Sequence, residues 1–206
     1  MSLGIVTAPL NKALVWLRRV LFLVGVSLLG YCAFILFDAS GFQAEGQRNF
    51  DRLLAVRRVS SGVSSGVSSG LLPRAAAGSL IGRIEIASLG FSAVVVEGTS
   101  APILRRAVGH IEGTARPGQA GNIGLSGHRD TFFRPLRIIR LHDTITLTTL
   151  LGQYRYRVLS TTVVRPRDVT VLEPTRTEVL TLVTCYPFYF IGPAPGRFVV
   201  RAERIY

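Results

Sequence analysis

Residues 20–37 run for eighteen positions without a charged side chain. No other feature limits the fold of this chain as tightly. A helix of that length reaches about 27 Å, enough to cross the hydrocarbon core of a bilayer. Residues 13–17 can lengthen it, with the Arg18 and Arg19 stems reaching back to the interface. A cleaved secretory leader is the alternative, with Ala39-Ser40-Gly41 as a small-residue cleavage site, although leaders usually carry a shorter apolar stretch. The cations nearly tie across the span, with Lys12, Arg18 and Arg19 before it and Arg48, Arg52 and Arg57 after it. The adjacent Arg18-Arg19 pair and the short N-terminal segment favour N-terminus in, domain out.

The rest of the chain divides by composition. Residues 1–19 read as a short cytoplasmic segment, residues 20–37 as the transmembrane helix, and residues 38–78 as a stalk and linker. Within the stalk, Phe50, Leu53 and Leu54 fall at i, i+3, i+4 among arginines. That spacing predicts a short amphipathic helix over 44–58, lying on the membrane surface or serving as a plain stalk. Val59-Ser60-Ser61-Gly62 then repeats at 63–66 and 67–70. Twelve such residues cannot bury apolar area and predict a flexible linker with a reach of about 20 Å. Residues 79–206 read as a soluble domain, long enough for a core of its own.

The formal charge is +12, and Lys12 is the only lysine. The arginines are scattered, with no run longer than two and no nucleic-acid docking motif. The charge therefore predicts a solvated basic surface and no nucleic-acid partner. Two cysteines are present, Cys32 inside the apolar run and Cys185 far from it. Such a pair makes no disulfide framework.

From residue 79 the pattern becomes short and β-branched. Strands are predicted over 81–87, 91–97, 122–126, 143–149, 153–164, 178–184 and 198–204, separated by Gly, Pro and Asp. Residues 100–108 predict the one short helix, and 131–139 another helical turn. About eight short strands with little helix predict a mainly β domain, a closed or nearly closed antiparallel barrel.

The chemistry rests on one cysteine and three histidines, His110, His128 and His142. Thiol catalysis needs a thiolate, and a histidine can take or hold the proton. Attack on a peptide carbonyl also makes an oxyanion, which needs a donor. Cys185 ends a strand, and the next strand begins near Arg197 after a Gly- and Pro-rich loop. If the two strands pair antiparallel, Arg197 lies opposite Cys185, while Arg201 lies about 13 Å further along. Arginine suits an oxyanion because it stays charged and offers fixed donors. His128 follows a predicted strand and a glycine, in a loop beside such a site. His110 is a weaker rival, and His142 reads as a solvent-facing turn residue. Asp130 either orients His128 or, preferably, caps the turn at Thr131. A strand cysteine is also commonly an inert core residue. These patterns alone leave open a membrane-tethered binding or scaffold domain.

At these residues the chain resembles the sortase family. Thr181-Leu182-Val183-Thr184-Cys185 is similar to the family's Thr-Leu-x-Thr-Cys signature. Gly127-His128-Arg129-Asp130 resembles the segment around the family histidine, and Arg197 in Gly196-Arg197-Phe198 aligns with the family arginine. Cys185-Tyr186-Pro187-Phe188 and Ala194-Pro195-Gly196-Arg197-Phe198 are most similar to the class D branch. The three blocks occur in the family's order, and the N-terminal anchor fits as well. The resemblance implies an eight-stranded sortase barrel and a cysteine transpeptidase. Cys185 then attacks after Thr in a Leu-Pro-x-Thr-Gly or Leu-Pro-x-Thr-Ala sorting signal, and His128 protonates the leaving amine. Arg197 holds the oxyanion or the peptide, and Thr184 helps to shape the substrate groove. The implied partners are surface proteins carrying the signal and an amine acceptor, either a cell-wall precursor or another protein. No cofactor or metal is implied. Residues 71–78 lack the aromatic lid motif of pilin-polymerising sortases. An L,D-transpeptidase would need a Ser-x-Gly-Cys-type loop, which the sequence does not contain.

Overall fold

The structure, a computed structural model, describes residues 8–60, 76–189 and 192–206. It separates into two compact units, Met1–Ser40 and Gly41–Tyr206.

The first unit is helical. Helix α1 (Ala8–Ser60) is continuous, with no break after the apolar run. Its most apolar window has a mean hydropathy of 2.5 and no part buried, and it is long enough to cross a membrane. Trp16, Phe22, Leu29 and Phe34 are each 67–73% exposed. Apolar surface on that scale calls for a nonpolar surrounding.

The second unit is a closed barrel of eight strands. They are β1 (Leu80–Ile86), β2 (Phe91–Glu97), β3 (Val108–His110), β4 (Gly121–Ser126), β5 (Thr144–Thr149), β6 (Gln153–Val164), β7 (Glu178–Tyr186) and β8 (Gly196–Ile205). The order around the barrel is β1-β2-β3-β4-β7-β8-β6-β5, closed by β5 on β1. Alternation along each strand explains the core. Ile84 and Ile86 on β1, Ile123 and Leu125 on β4, and Leu180 and Leu182 on β7 point inward with no exposed surface. Truncating one such leucine to alanine costs about 2–5 kcal/mol.

The sequence-predicted strands are present, but two expectations change. First, the barrel is not wholly antiparallel: β2–β3 and β4–β7 are parallel pairs. The chain leaves β2 through α2 (Ala101–Leu104) and leaves β6 through a 3-10 turn at Thr170–Leu172, each time crossing before it returns to the sheet. Second, the helix expected over 100–108 is only α2, and β3 takes its last residue. Three residues are too few to show a period of two. Gly109 is what lets β3 close, since a Cβ there would lie 2.3 Å from the Gly98 carbonyl oxygen.

The amphipathic reading of 44–58 is helical, and within the second unit Phe50 of its apolar face packs toward the barrel, while Leu53 stays exposed. Phe50 is 1% exposed. The Arg83 guanidinium lies 5.9 Å from the centre of its ring and pairs with Asp51 at 3.2 Å. Gln43 donates to the Arg106 carbonyl at 2.6 Å and accepts from the Val94 N–H at 2.9 Å. The expected Val-Ser-Ser-Gly linker lies outside the described residues from Ser61 to Ala75.

Candidate active site

Three neighbouring strands carry the expected chemistry. Strand β7 pairs antiparallel with β8, and Cys185 stands directly opposite Arg197. On its other side β7 runs parallel to β4, with Ser126 opposite Val183. Two residues further along that register, His128 comes alongside Cys185. Directly paired residues share a face, and adjacent strands lie about 5 Å apart. His128, Cys185 and Arg197 therefore form one row across the outer face, at the end of the barrel where β4 and β7 finish.

Backbone bonds carry the register past the end of β4. The Gly127 N–H donates to the Val183 carbonyl at 3.3 Å. The Thr184 hydroxyl donates to the Gly127 carbonyl at 2.7 Å. Gly127 also makes room beneath His128, because a Cβ there would meet the Phe133 ring at 2.9 Å. Phe133 is fully buried, and its N–H bonds the His128 carbonyl at 3.0 Å. A glycine before the histidine and a phenylalanine five residues after it thus fix the turn that presents the imidazole.

Cys185 is a free thiol, half-buried at the strand end, and His128 is half-buried as well. Arg197 donates from Nη1 to the carbonyls of Gly196 at 3.0 Å and Ala194 at 3.4 Å. Those bonds tether one arm of the guanidinium to the backbone at the start of β8. A thiol, an imidazole and a guanidinium are group types that can serve as nucleophile, proton carrier and oxyanion donor.

The rivals fall elsewhere. His110 is buried on β3, with Nδ1 3.1 Å from Glu97 Oε1 and Nε2 2.9 Å from the Ala115 carbonyl. Both ring nitrogens are thus engaged in the interior. His142 is exposed in a turn with φ +70°. Arg201 stands opposite Thr181, four residues along β8 from Arg197 on the same face. Arg129 is bound to loop carbonyls, at 3.0 Å from Pro187 and 3.0 Å from Gly192. Asp130 lies in the turn over residues 129–133, which leads into the 3-10 turn over Arg134–Ile138.

Thr184 turns the other way. It is one residue out of phase with Cys185, 2% exposed, and its hydroxyl is used by Gly127. It holds the loop of His128 in place from the buried side of β7. Thr181 braces the site in a comparable way. It donates to Asn122 Oδ1 at 2.7 Å, while Asn122 Nδ2 donates to the carbonyls of Val171 and Glu173. These bonds lay the β6–β7 connection over β4 and form one wall beside the row. The sequence offered no period or spacing for such long-range bonds. Its only hint was three hydroxyl or amide residues inside strands otherwise apolar.

The model of the Sortase domain family matches residues 84–205. Sortase D of Bacillus subtilis is 35% identical over 129 residues, covering 62% of this chain and 65% of that protein. Sortase A of Listeria monocytogenes is 30% identical over 111 residues, covering 52% of this chain and 50% of that one. The chain thus spans between half and two thirds of these relatives. Among solved structures, a Clostridium perfringens Sortase D5 transpeptidase superposes with a TM-score of 0.63 at 25% identity, covering 82% of this chain and 98% of that one. A sortase C from Clostridium perfringens SM101 gives 0.59 at 27% identity, covering 87% and 98%.

Proposed function

The chain belongs to the sortase family, and on that premise we propose that it is a membrane-anchored cysteine transpeptidase acting on Leu-Pro-x-Thr-Gly/Ala-like sorting signals. What supports this reading is the single row of His128, Cys185 and Arg197 on β4, β7 and β8. The relatives named Sortase D and Sortase D5 agree with a class D affinity. In the proposed reaction the Cys185 thiolate attacks the carbonyl carbon of the signal's Thr. Charge moves onto the carbonyl oxygen, where Arg197 stabilises it. The C–N bond then breaks, and His128 gives its proton to the departing amine. The product is a thioester on Cys185. An incoming amine attacks that thioester, His128 takes a proton back, and the C–S bond breaks to restore the thiolate. The thioester keeps the acyl group activated, so one amide is exchanged for another without an external energy source.

The anchor fits the same reading. The apolar part of α1 would hold the protein in the membrane with the barrel on the extracytoplasmic side. There the domain would meet surface proteins carrying a sorting signal, and an amine of a cell-wall precursor or of another protein. Residues 79–206 would form the catalytic domain, with the Gly41–Ser60 part of α1 packed on it.

The experiment is a transfer assay with the full chain in detergent. Peptides of the form Leu-Pro-x-Thr-x are supplied with a panel of amines, and products are weighed by mass spectrometry. The expected product joins the peptide, cut after Thr, to an added amine. Cleavage to the free acid alone at every amine concentration would make the protein a hydrolase. No cleavage of any such peptide would remove the sorting reading.

A further inference from the structure

The residue after His128 reaches across the site to the connection between β7 and β8. That connection follows Cys185 directly and carries Pro187, Gly192, Pro193 and Pro195. Its first part is anchored by Phe188, whose ring packs on Phe198 at 5.3 Å. The rest has no strand partner among the described residues. Arg129 supplies a tie: Nη1 donates to the Pro187 carbonyl at 3.0 Å and Nη2 to the Gly192 carbonyl at 3.0 Å. The two acceptors are five residues apart, so one planar group joins the start of the connection to its later part. A second arginine from the same β4–β5 segment, Arg137, lies 5.7 Å from the centre of the exposed Tyr189 ring.

We propose that Arg129 is a positioning residue, which fastens Pro187 and Gly192 of the β7–β8 connection as a fixed wall beside Cys185 and sets that wall relative to His128. It acts through the connection, without touching substrate. Charge alone does not do this. The guanidinium fork spans two carbonyls at once, whereas an ammonium is a point donor on a flexible stem. A wall displaced by about 1 Å lowers catalysis up to roughly a hundredfold, because peptide attack needs aligned atoms. A small alkylating agent needs no wall, so its reaction with Cys185 is unaffected. The role in catalysis rests on the function proposed above; the tie itself does not.

The test uses the full chain in detergent, with Arg129→Lys, Arg129→Ala and a control, Arg134→Ala, which removes an exposed arginine of the same segment. Hydrogen exchange is followed in peptides from the β7–β8 connection. Exchange there is expected to rise about tenfold or more in both Arg129 variants, with β7 unchanged. In the transfer assay, both variants are expected to lose between roughly tenfold and a hundredfold in kcat/KM. Cys185 alkylation by iodoacetamide should stay within about twofold, as expected of an unchanged thiol environment. Arg134→Ala should behave as wild type in all three. Unchanged exchange in Arg129→Ala would overturn the proposal, as would full activity in Arg129→Lys. A wild-type protein that exchanges as expected but transfers no peptide would refute the transpeptidase reading and leave the tie standing.

Discussion

At the residue scale, two histidines separate structure from chemistry. His110 has both ring nitrogens bonded among buried groups, beside a Glu97 that is 4% exposed. His128 sits in the row with Cys185. His110→Ala therefore strips a buried carboxylate of its closer partner, leaving Arg116 at 3.7 Å, and should cost about 1–3 kcal/mol of unfolding free energy. His128→Ala should leave the unfolding midpoint nearly unchanged and lower peptide cleavage by about 10²–10⁴-fold. Denaturant melts and initial rates on both variants check this. A His128→Ala protein that cleaves normally while His110→Ala is folded and dead would exchange the two roles. Much of this was legible in the sequence. Cys185 ended a strand, Arg197 began the next, and antiparallel pairing made them neighbours, as the register has it. Thr184 was not legible as a brace. Its role depends on parity along β7 and on a bond to Gly127 across a parallel strand pair, which no local pattern encodes.

At the element scale, local periodicity found the long strands and missed how they connect. Strands β6 and β7 showed themselves through β-branched runs. β3 did not, because three residues carry no alternation, and the parallel β4–β7 pair did not, because register between distant segments is fixed by the whole barrel. At the other end of β7 from the site, Glu178 accepts from the Tyr156 hydroxyl and from the Gly118 N–H. Arg204 Nε lies 3.5 Å from Glu178 Oε2. Burial first, then the bond and charge of Glu178, push the Tyr156 phenol far above its ordinary range. The folded protein thus keeps this proton in alkali, while the unfolded chain gives it up above about pH 10. Folded stability from this group is complete below that pH and declines as pH rises beyond it. Tyr156→Phe should be less stable by about 1 kcal/mol at neutral pH, yet lose less stability between pH 9 and 11. Urea titrations across that range measure it, and parallel curves for the two proteins would contradict it.

At the scale of the whole molecule, the apolar run is helical, exposed and long enough to cross a membrane. The stalk, read as separate from the domain, instead contributes Gln43 and Phe50 to the barrel's packing. The sequence hid this because an apolar stripe at helical spacing looks the same whether it faces lipid or protein. The scattered arginines likewise resolve into local roles, with Arg83 on Phe50, Arg129 on a loop and Arg204 among tyrosines. The proposed function joins these parts through a covalent acyl-enzyme on Cys185. Its most direct test is the intact mass of the full chain after exposure to a Leu-Pro-x-Thr-Gly peptide without added amine, followed by peptide mapping. The account predicts a mass gain equal to the acyl portion ending in Thr, located on the fragment holding Cys185 and missing in Cys185→Ala. An adduct on any other residue, Cys32 included, or peptide cleavage by Cys185→Ala, would contradict it.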